Sequence, residues 1–266
     1  MFSICVPSYN SLEYLKIFYR GLQKNTKVEY ELKVHDNGST DGTKEWLGEN
    51  KISWTGTPSN EGFCAVNLPL RHVNYKYSMI MNTDMYPLPG WDEVIVEQIK
   101  KFENSGIDKF TISSRLIEPI GANPEYTIFN AGVNAKTFNE SYLLGNYIKQ
   151  KKSWSGINTI QYSHPILVPT SLMHEMNYLD EQYFPGWAVD HDLAASAYKV
   201  GCRNFVMLGN SRVYHFSSKT FTKLPNEVRR RDGQDVFLKK WGMTVDEFRN
   251  RLGVKEQFRQ VGENVL

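Results

Sequence analysis

Three short polar stretches, each following an apolar run, hold residues suited to a phosphorylated ligand. Pro7-Ser8-Tyr9-Asn10 follows Phe2–Val6, Asp36-Asn37-Gly38-Ser39-Thr40-Asp41-Gly42 follows Tyr30–His35, and Asn82-Thr83-Asp84 follows Tyr77–Met81. A carboxylate such as Asp36 accepts hydrogen bonds from a base N–H or a ribose hydroxyl. Gly38 lets a ligand approach the backbone closely. Asp84 ends an apolar strand, where an ionised carboxylate needs a partner, and a divalent cation bridging phosphates is the natural one. Each stretch also has a plainer reading: a turn with a helix cap for 36–42, a turn residue for Asp84. Their order and spacing favour the ligand reading. The chain has no Walker loop, G-x-G-x-x-G, H-E-x-x-H or G-x-S-x-G to offer a rival.

The elements that must position these residues follow from periodicity. Phe2–Val6, Tyr30–His35, a segment around Trp54 and Tyr77–Met81 read as strands. Leu12–Lys24 has helical spacing, with Leu15, Phe18, Tyr19 and Leu22 on one face; Asp41–Leu47 starts behind the capping side chains Ser39-Thr40-Asp41. Glu61–Tyr75 reads as mostly helical. This alternation predicts a parallel sheet covered on both faces, with ligands beyond the carboxyl ends of its strands. Further on, Phe110–Ser114, Ile166–Val168, Asn204–Leu208 and Arg212–His215 read as strands. Asp192–Val200 reads as a helix closed by Gly201, and the chain from Asn226 as helical. The expected layout is one domain of two halves, 1–100 and 101–220, and a helical tail (221–266), with the boundary between the halves near Trp91–Asn104 and no flexible linker there.

Composition narrows the classes. The 266 residues are 41% hydrophobic, with 31 Lys and Arg against 29 Asp and Glu. That balance is too even to make nucleic acid the main partner, and no apolar run is long enough for a membrane span. Cys5, Cys64 and Cys202 are odd in number and far apart, so they form no disulfide framework. The N-terminus has no basic n-region and reads as a strand, which predicts a cytoplasmic location. Arg229–Arg231 has two readings: a solvated helix face, or a contact with diphosphate or an anionic membrane surface. His35, His72, His164 and His174 show no metal-ligand spacing and read as structural or surface residues.

Taken together, Val6-Pro-Ser-Tyr-Asn10, the 36–42 loop, Asn60-Glu-Gly-Phe63 with Asn67, Asn82-Thr-Asp84, Asp180-Glu181, Phe184, Asp190-His-Asp192-Leu193, Gly201 and His215 resemble the inverting family 2 glycosyltransferases of GT-A fold. The likeness covers roughly residues 2–218 and is greatest to the rhamnosyltransferase-like branch. It implies an α/β fold with a mostly parallel central sheet, a Rossmann-like nucleotide-binding half fused to an acceptor-binding half. It also implies transfer from a UDP-, dTDP- or GDP-linked sugar to a glycan or lipid-linked acceptor, assisted by Mn²⁺ or Mg²⁺.

By this resemblance Pro7, Tyr9 and Asp36 hold base and ribose, with Asn37 beside them. Asn60 and Gly62 lie near the diphosphate and donor sugar, with Asn82 and Thr83. Asp84 coordinates the metal, His215 completes the metal site, and Asp190 deprotonates the acceptor hydroxyl. Trp187 is the tryptophan best placed to stack on a sugar ring; Trp91 and Trp154 default to the core. His215 as a buried structural residue is the competing reading. Two departures stand out: Asn82 replaces the first acid of the commoner D-x-D, and Val189 stands where many relatives have Glu. The rival functions are a nucleotidyltransferase, which would need a basic phosphate loop near the N-terminus, and a nucleotide-sugar or carbohydrate-binding protein that has lost catalysis. Asp190 is expected in a loop facing the acceptor, and Asp192 as a cap in the first turn of the following helix.

Overall fold

The structure is a computed structural model that describes residues 1–120, 127–150, 162–217, 219 and 233–252. Trp154 and Arg229–Arg231 lie outside the described residues. In chain order the elements are β1 (Phe2–Ser8), α1 (Leu12–Asn25), β2 (Tyr30–Asp36), α2 (Thr43–Glu49), β3 (Ser53–Gly56), a 3₁₀ turn (Phe63–Val66), α3 (Asn67–Leu70), β4 (Tyr77–Ile80), β5 (Met85–Pro87) and α4 (Trp91–Asn104). Then come β6 (Phe110–Glu118), β7 (Thr127–Ile128), α5 (Glu140–Gln150), β8 (Ile166–Pro169), α6 (Thr170–Glu175), a 3₁₀ turn (Glu181–Tyr183), α7 (Val189–Lys199), β9 (Asn204–His215), α8 (Gly233–Trp241) and α9 (Val245–Arg251).

Nine strands form one sheet in the order β3-β2-β1-β4-β8-β6-β9-β5, with β7 on β6. The first four are parallel neighbours, β8 runs antiparallel between β4 and β6, and β6 pairs β9 in parallel. The sheet is thus the mostly parallel α/β arrangement expected, and it runs unbroken across both halves of the chain. β1 and β4 are buried along their whole lengths, as strands covered on both faces must be. One face packs on α1 and α4 through Leu15, Phe18, Leu22, Trp91, Ile95 and Ile99; the other packs on α6 and α7 through Leu172, Met173, Leu193 and Ala197. Among the described residues no helix is long and apolar enough to cross a membrane.

Two elements differ from the sequence reading, and a third adds to it. The segment 61–75 holds only a 3₁₀ turn and a four-residue helix, because Asn67 spends its amide across the chain instead of facing solvent. Its Nδ2 donates to Leu179 O at 2.8 Å, and its Oδ1 accepts from Leu179 N at 3.0 Å. The two strands expected at 204–215 are one. Ser114 pairs with Leu208 and Arg115 with Arg212, so Gly209-Asn210-Ser211 form a bulge, not a turn. Ser211 secures the bulge: its Oγ donates to Trp91 O at 2.8 Å and contacts Ser114 Oγ at 2.7 Å. The span 91–104, marked as a boundary, is a regular helix whose buried stripe of Trp91, Ile95, Ile99 and Phe102 has the helical repeat.

Candidate active site

The loops after β1, β2 and β4 meet at the carboxyl edge of the sheet and are tied together by their own polar side chains. Asn10 N donates to Ser39 Oγ at 2.9 Å, Thr40 N to Asn10 Oδ1 at 2.8 Å, and Leu12 N to Asp41 Oδ2 at 2.9 Å. Asn37 brackets the next loop: its Nδ2 donates to Gly62 O at 3.0 Å, and its Oδ1 accepts from Glu61 N at 3.3 Å. Asn60 Oδ1 accepts from Gly62 N at 2.8 Å. Gly62 has φ +84, and a Cβ there would lie 2.7 Å from Phe184 Cδ2, so only glycine lets this loop close against the second half.

A cleft of about 320 Å³ opens between these loops and the start of α7. Its lining includes Pro7, Tyr9, Asn37, Asn60, Gly62, Asn82, Thr83, Asp84, Trp187, Asp190 and His215. One sequence-predicted site residue is missing from that wall. Asp36 lies fully buried just behind it, with Oδ2 accepting from Ser39 N at 3.2 Å and Lys44 Nζ forming an ion pair with it at 3.7 Å. Its Oδ1 is buried with no hydrogen-bond partner. Trp187 stands 53% exposed in the lining, while Trp91 is a core residue at 0%.

Asp84 and His215 face each other. His215 Nε2 lies 3.4 Å from Asp84 Oδ1, and His215 Nδ1 lies 2.7 Å from Glu118 Oε1. Asp84 Oδ2 accepts from Lys219 N at 3.0 Å. Burial alone would lower the imidazole pKa, but the two carboxylates outweigh it and raise His215 to about 9. Burial would likewise raise the Asp84 pKa; the imidazolium and the Lys219 amide hold it below its ordinary range. Sequence reasoning missed Glu118, because it runs the strand only from Phe110 to Ser114, and the mixed polar continuation meets His215 only once β9 is paired beside it.

The two aspartates of α7 separate cleanly. Asp190 lies on the cleft wall. Asp192 is 2% exposed and turned away, accepting from Trp241 Nε1 at 2.8 Å and Lys240 Nζ at 3.0 Å. Side chains two apart on a helix do not share a face. The expectation needs two corrections: α7 begins at Val189, so Asp190 is already in its first turn, and Asp192 anchors α8 instead of capping α7. Lys240 also binds Asp180 Oδ2 at 2.7 Å, so the acidic residue before the loop serves this anchor and not the cleft. At the other end of α8, a Cβ on Gly233 would lie 1.9 Å from Trp187 O, so the helix is seated directly on the cleft loop. Asp192→Ala is expected to cost about 2 kcal/mol, since it leaves the partly buried Trp241 indole N–H unpaired and Lys240 with Asp180 alone. Thermal melts beside wild type should show a fall of roughly 5 °C; an unchanged melt would remove the anchor.

His164 and His191 also line the cleft. The sequence reading placed His164 among structural or surface histidines; its place two residues before β8, opposite Asp190's helix, is a product of the β4–β8–β6 pairing.

Fold and cleft form an α/β scaffold with its polar loops gathered at the carboxyl edge of the sheet, and comparison with known proteins gives the family. The pattern of glycosyl transferase family 2 matches residues 3–143, more than half of the chain. This chain belongs to glycosyl transferase family 2. Chondroitin synthase of Escherichia coli is 33% identical over 110 residues, 38% of this chain and 16% of that protein. Among solved structures, S. aureus TarS 1-349 in complex with UDP-GlcNAc aligns with TM-score 0.58 at 16% identity, covering 96% of this chain and 66% of that one. The same protein in complex with UDP aligns with TM-score 0.55 at 14% identity, covering 94% and 74%. This chain spans about a sixth of the chondroitin synthase and about two thirds of the TarS 1-349 chain in complex with UDP-GlcNAc. The structural likeness is one of fold, the α/β GT-A arrangement.

Proposed function

We propose that this chain transfers a sugar from a UDP-linked donor to an acceptor hydroxyl with inversion, assisted by a divalent cation. The observation that carries this reading is the placement of Asp190 in the same cleft as the Asp84–His215 pair and the three motif loops. TarS, which shares the fold, has been solved with UDP and with UDP-GlcNAc, which favours UDP over dTDP or GDP. The rhamnosyltransferase-like likeness of the motifs keeps dTDP-rhamnose among the donors worth testing.

Pro7, Tyr9 and the buried Asp36 would receive base and ribose, and Asn60 and Gly62 would lie along the diphosphate. The residues present fit Mn²⁺ or Mg²⁺. His215 Nε2 is buried without a hydrogen-bond partner, and its other nitrogen is held by Glu118, the arrangement that orients a metal-ligating imidazole. Asn82 Oδ1, also buried without a partner, is a neutral third oxygen in the same loop. No cluster of three or more acidic, histidine or cysteine ligands occurs among the described residues, so diphosphate and water would complete the shell around Asp84 and His215. The cation, when bound, neutralises charge on the departing diphosphate. Asp190 takes the proton from the attacking hydroxyl as the anomeric carbon gains oxocarbenium character. Inversion follows from attack on the face opposite the diphosphate, with no covalent intermediate. Trp187 offers an exposed face to a glycan or lipid-linked acceptor sugar.

The test is nucleotide release from UDP-GlcNAc, UDP-glucose, UDP-galactose and dTDP-rhamnose, each with and without Mn²⁺. Metal-dependent release from at least one donor is expected. Donor binding with no release, with or without oligosaccharide acceptors, would favour a binding protein. No binding of any donor would sink the reading.

A further inference from the structure

His164 is 9% exposed, and its Nε2 is buried with no hydrogen-bond partner. An imidazole nitrogen left so is costly, and native interiors rarely keep one without a reason. The ring is held in place edge-on to Phe63, with centroids 4.7 Å apart and planes at 64°. Burial keeps the imidazole pKa below its ordinary value, so near neutral pH one nitrogen donates and the other accepts. His164 lines the same cleft as Asp190, assigned to the acceptor oxygen, and as the Asp84–His215 pair, assigned to the diphosphate. The moiety that lies between those two assignments is the sugar in transit.

We propose that His164 hydrogen-bonds a ring hydroxyl of the transferred sugar and so takes part in donor recognition. This rests on the donor reading above. His191, which follows Asp190 on α7, supplies a second such group: its Nδ1 is buried without a partner, it lines the same cleft, and its ring packs edge-on to Tyr162 at 5.5 Å. Two imidazoles that burial holds below their ordinary pKa thus line the cleft that contains Asp190. They can read hydroxyls there without adding a positive charge that would weaken the carboxylate as a base.

The experiment is calorimetric titration of wild type, His164→Phe and His164→Gln with UDP, UDP-glucose and UDP-GlcNAc in Mg²⁺. Phe keeps the ring contact with Phe63, and Gln restores a donor and an acceptor; thermal melts confirm that both variants are folded. The affinity of His164→Phe for UDP should stay within about twofold of wild type, while its affinity for the preferred sugar nucleotide falls about tenfold, the scale of one hydrogen bond. His164→Gln should recover part of that loss. Equal losses for UDP and sugar nucleotide would move His164 to the diphosphate and overturn the proposal, as would unchanged affinity for both sugar nucleotides. Wild type that binds neither UDP nor a sugar nucleotide would fail the donor reading itself, and the His164 assignment with it.

Discussion

Asp190→Asn is expected to bind UDP and Mn²⁺ like wild type and to transfer sugar at least about a hundredfold more slowly, the scale of a lost general base. The amide keeps the size and polarity of the carboxylate but cannot take a proton. Asp190 is the carboxylate of α7 that lies on the wall of the cleft that also holds Asp84 and His215. Its neighbour Asp192 is engaged by Trp241 and Lys240 and is nearly inaccessible. Asp192→Asn should therefore lower the melting temperature and cost less in rate. Measured under saturating donor, the two variants should differ by at least about an order of magnitude in turnover. Near-normal transfer by Asp190→Asn, with loss of transfer in a folded Asp192→Asn, would give the base role to Asp192.

The second large effect is expected at Asp84. Asp84→Ala removes the one carboxylate that meets His215 Nε2, at 3.4 Å, and leaves that buried imidazole with Glu118 alone. Because Asn82 is neutral, no other acid in the Asn82-Thr83-Asp84 loop can replace the lost charge. Metal-stimulated donor cleavage should fall by about a hundredfold or more, as when a ligand shell is broken. UDP affinity measured in Mn²⁺ should drop toward the value measured in chelator. Calorimetry showing an unchanged Mn²⁺ effect on UDP affinity would separate Asp84 from the metal. Asp84→Asn is the companion variant: its single amide oxygen can take the place of Oδ2 and still accept from Lys219 N, so a matching loss would trace to the charge and not to a collapsed loop.

Most of the first half was legible before any coordinates. Apolar runs and amphipathic spacing in residues 1–84 are local signals, and they mark β1, α1, β2, α2 and β4 to within a few residues. The polar loops were legible because a parallel strand must end in a turn at the ligand edge. Side-chain types such as Asn10, Ser39 and Asp41 turned out to stitch those loops together as well as to line them. The segment 61–75 misled because its apolar residues have helical spacing, while Asn67 commits its amide to Leu179, 112 positions away. The break at Gly209-Asn210 misled for a similar reason: a bulge and a turn use the same residues, and only the pairing of β9 with β6 distinguishes them.

The sequence by itself determined the fold class, the three polar loops and the candidacy of Asp84, because each depends on residue type beside a local element; Asp190 and His215 became candidates through the likeness of the motifs to family 2 glycosyltransferases. Tertiary structure alone decided what those residues meet. Glu118 reaches His215 only through strands 97 positions apart. His164 joins the cleft only because β8 runs antiparallel between β4 and β6. The choice between Asp190 and Asp192 rests on α8, which takes up one carboxylate from 49 positions further along the chain. The physical reason is the same in each case. Burial, charge pairing and an unmet hydrogen bond are properties of a neighbourhood, and long-range chain folding composes that neighbourhood from segments whose own sequences carry no mark of one another.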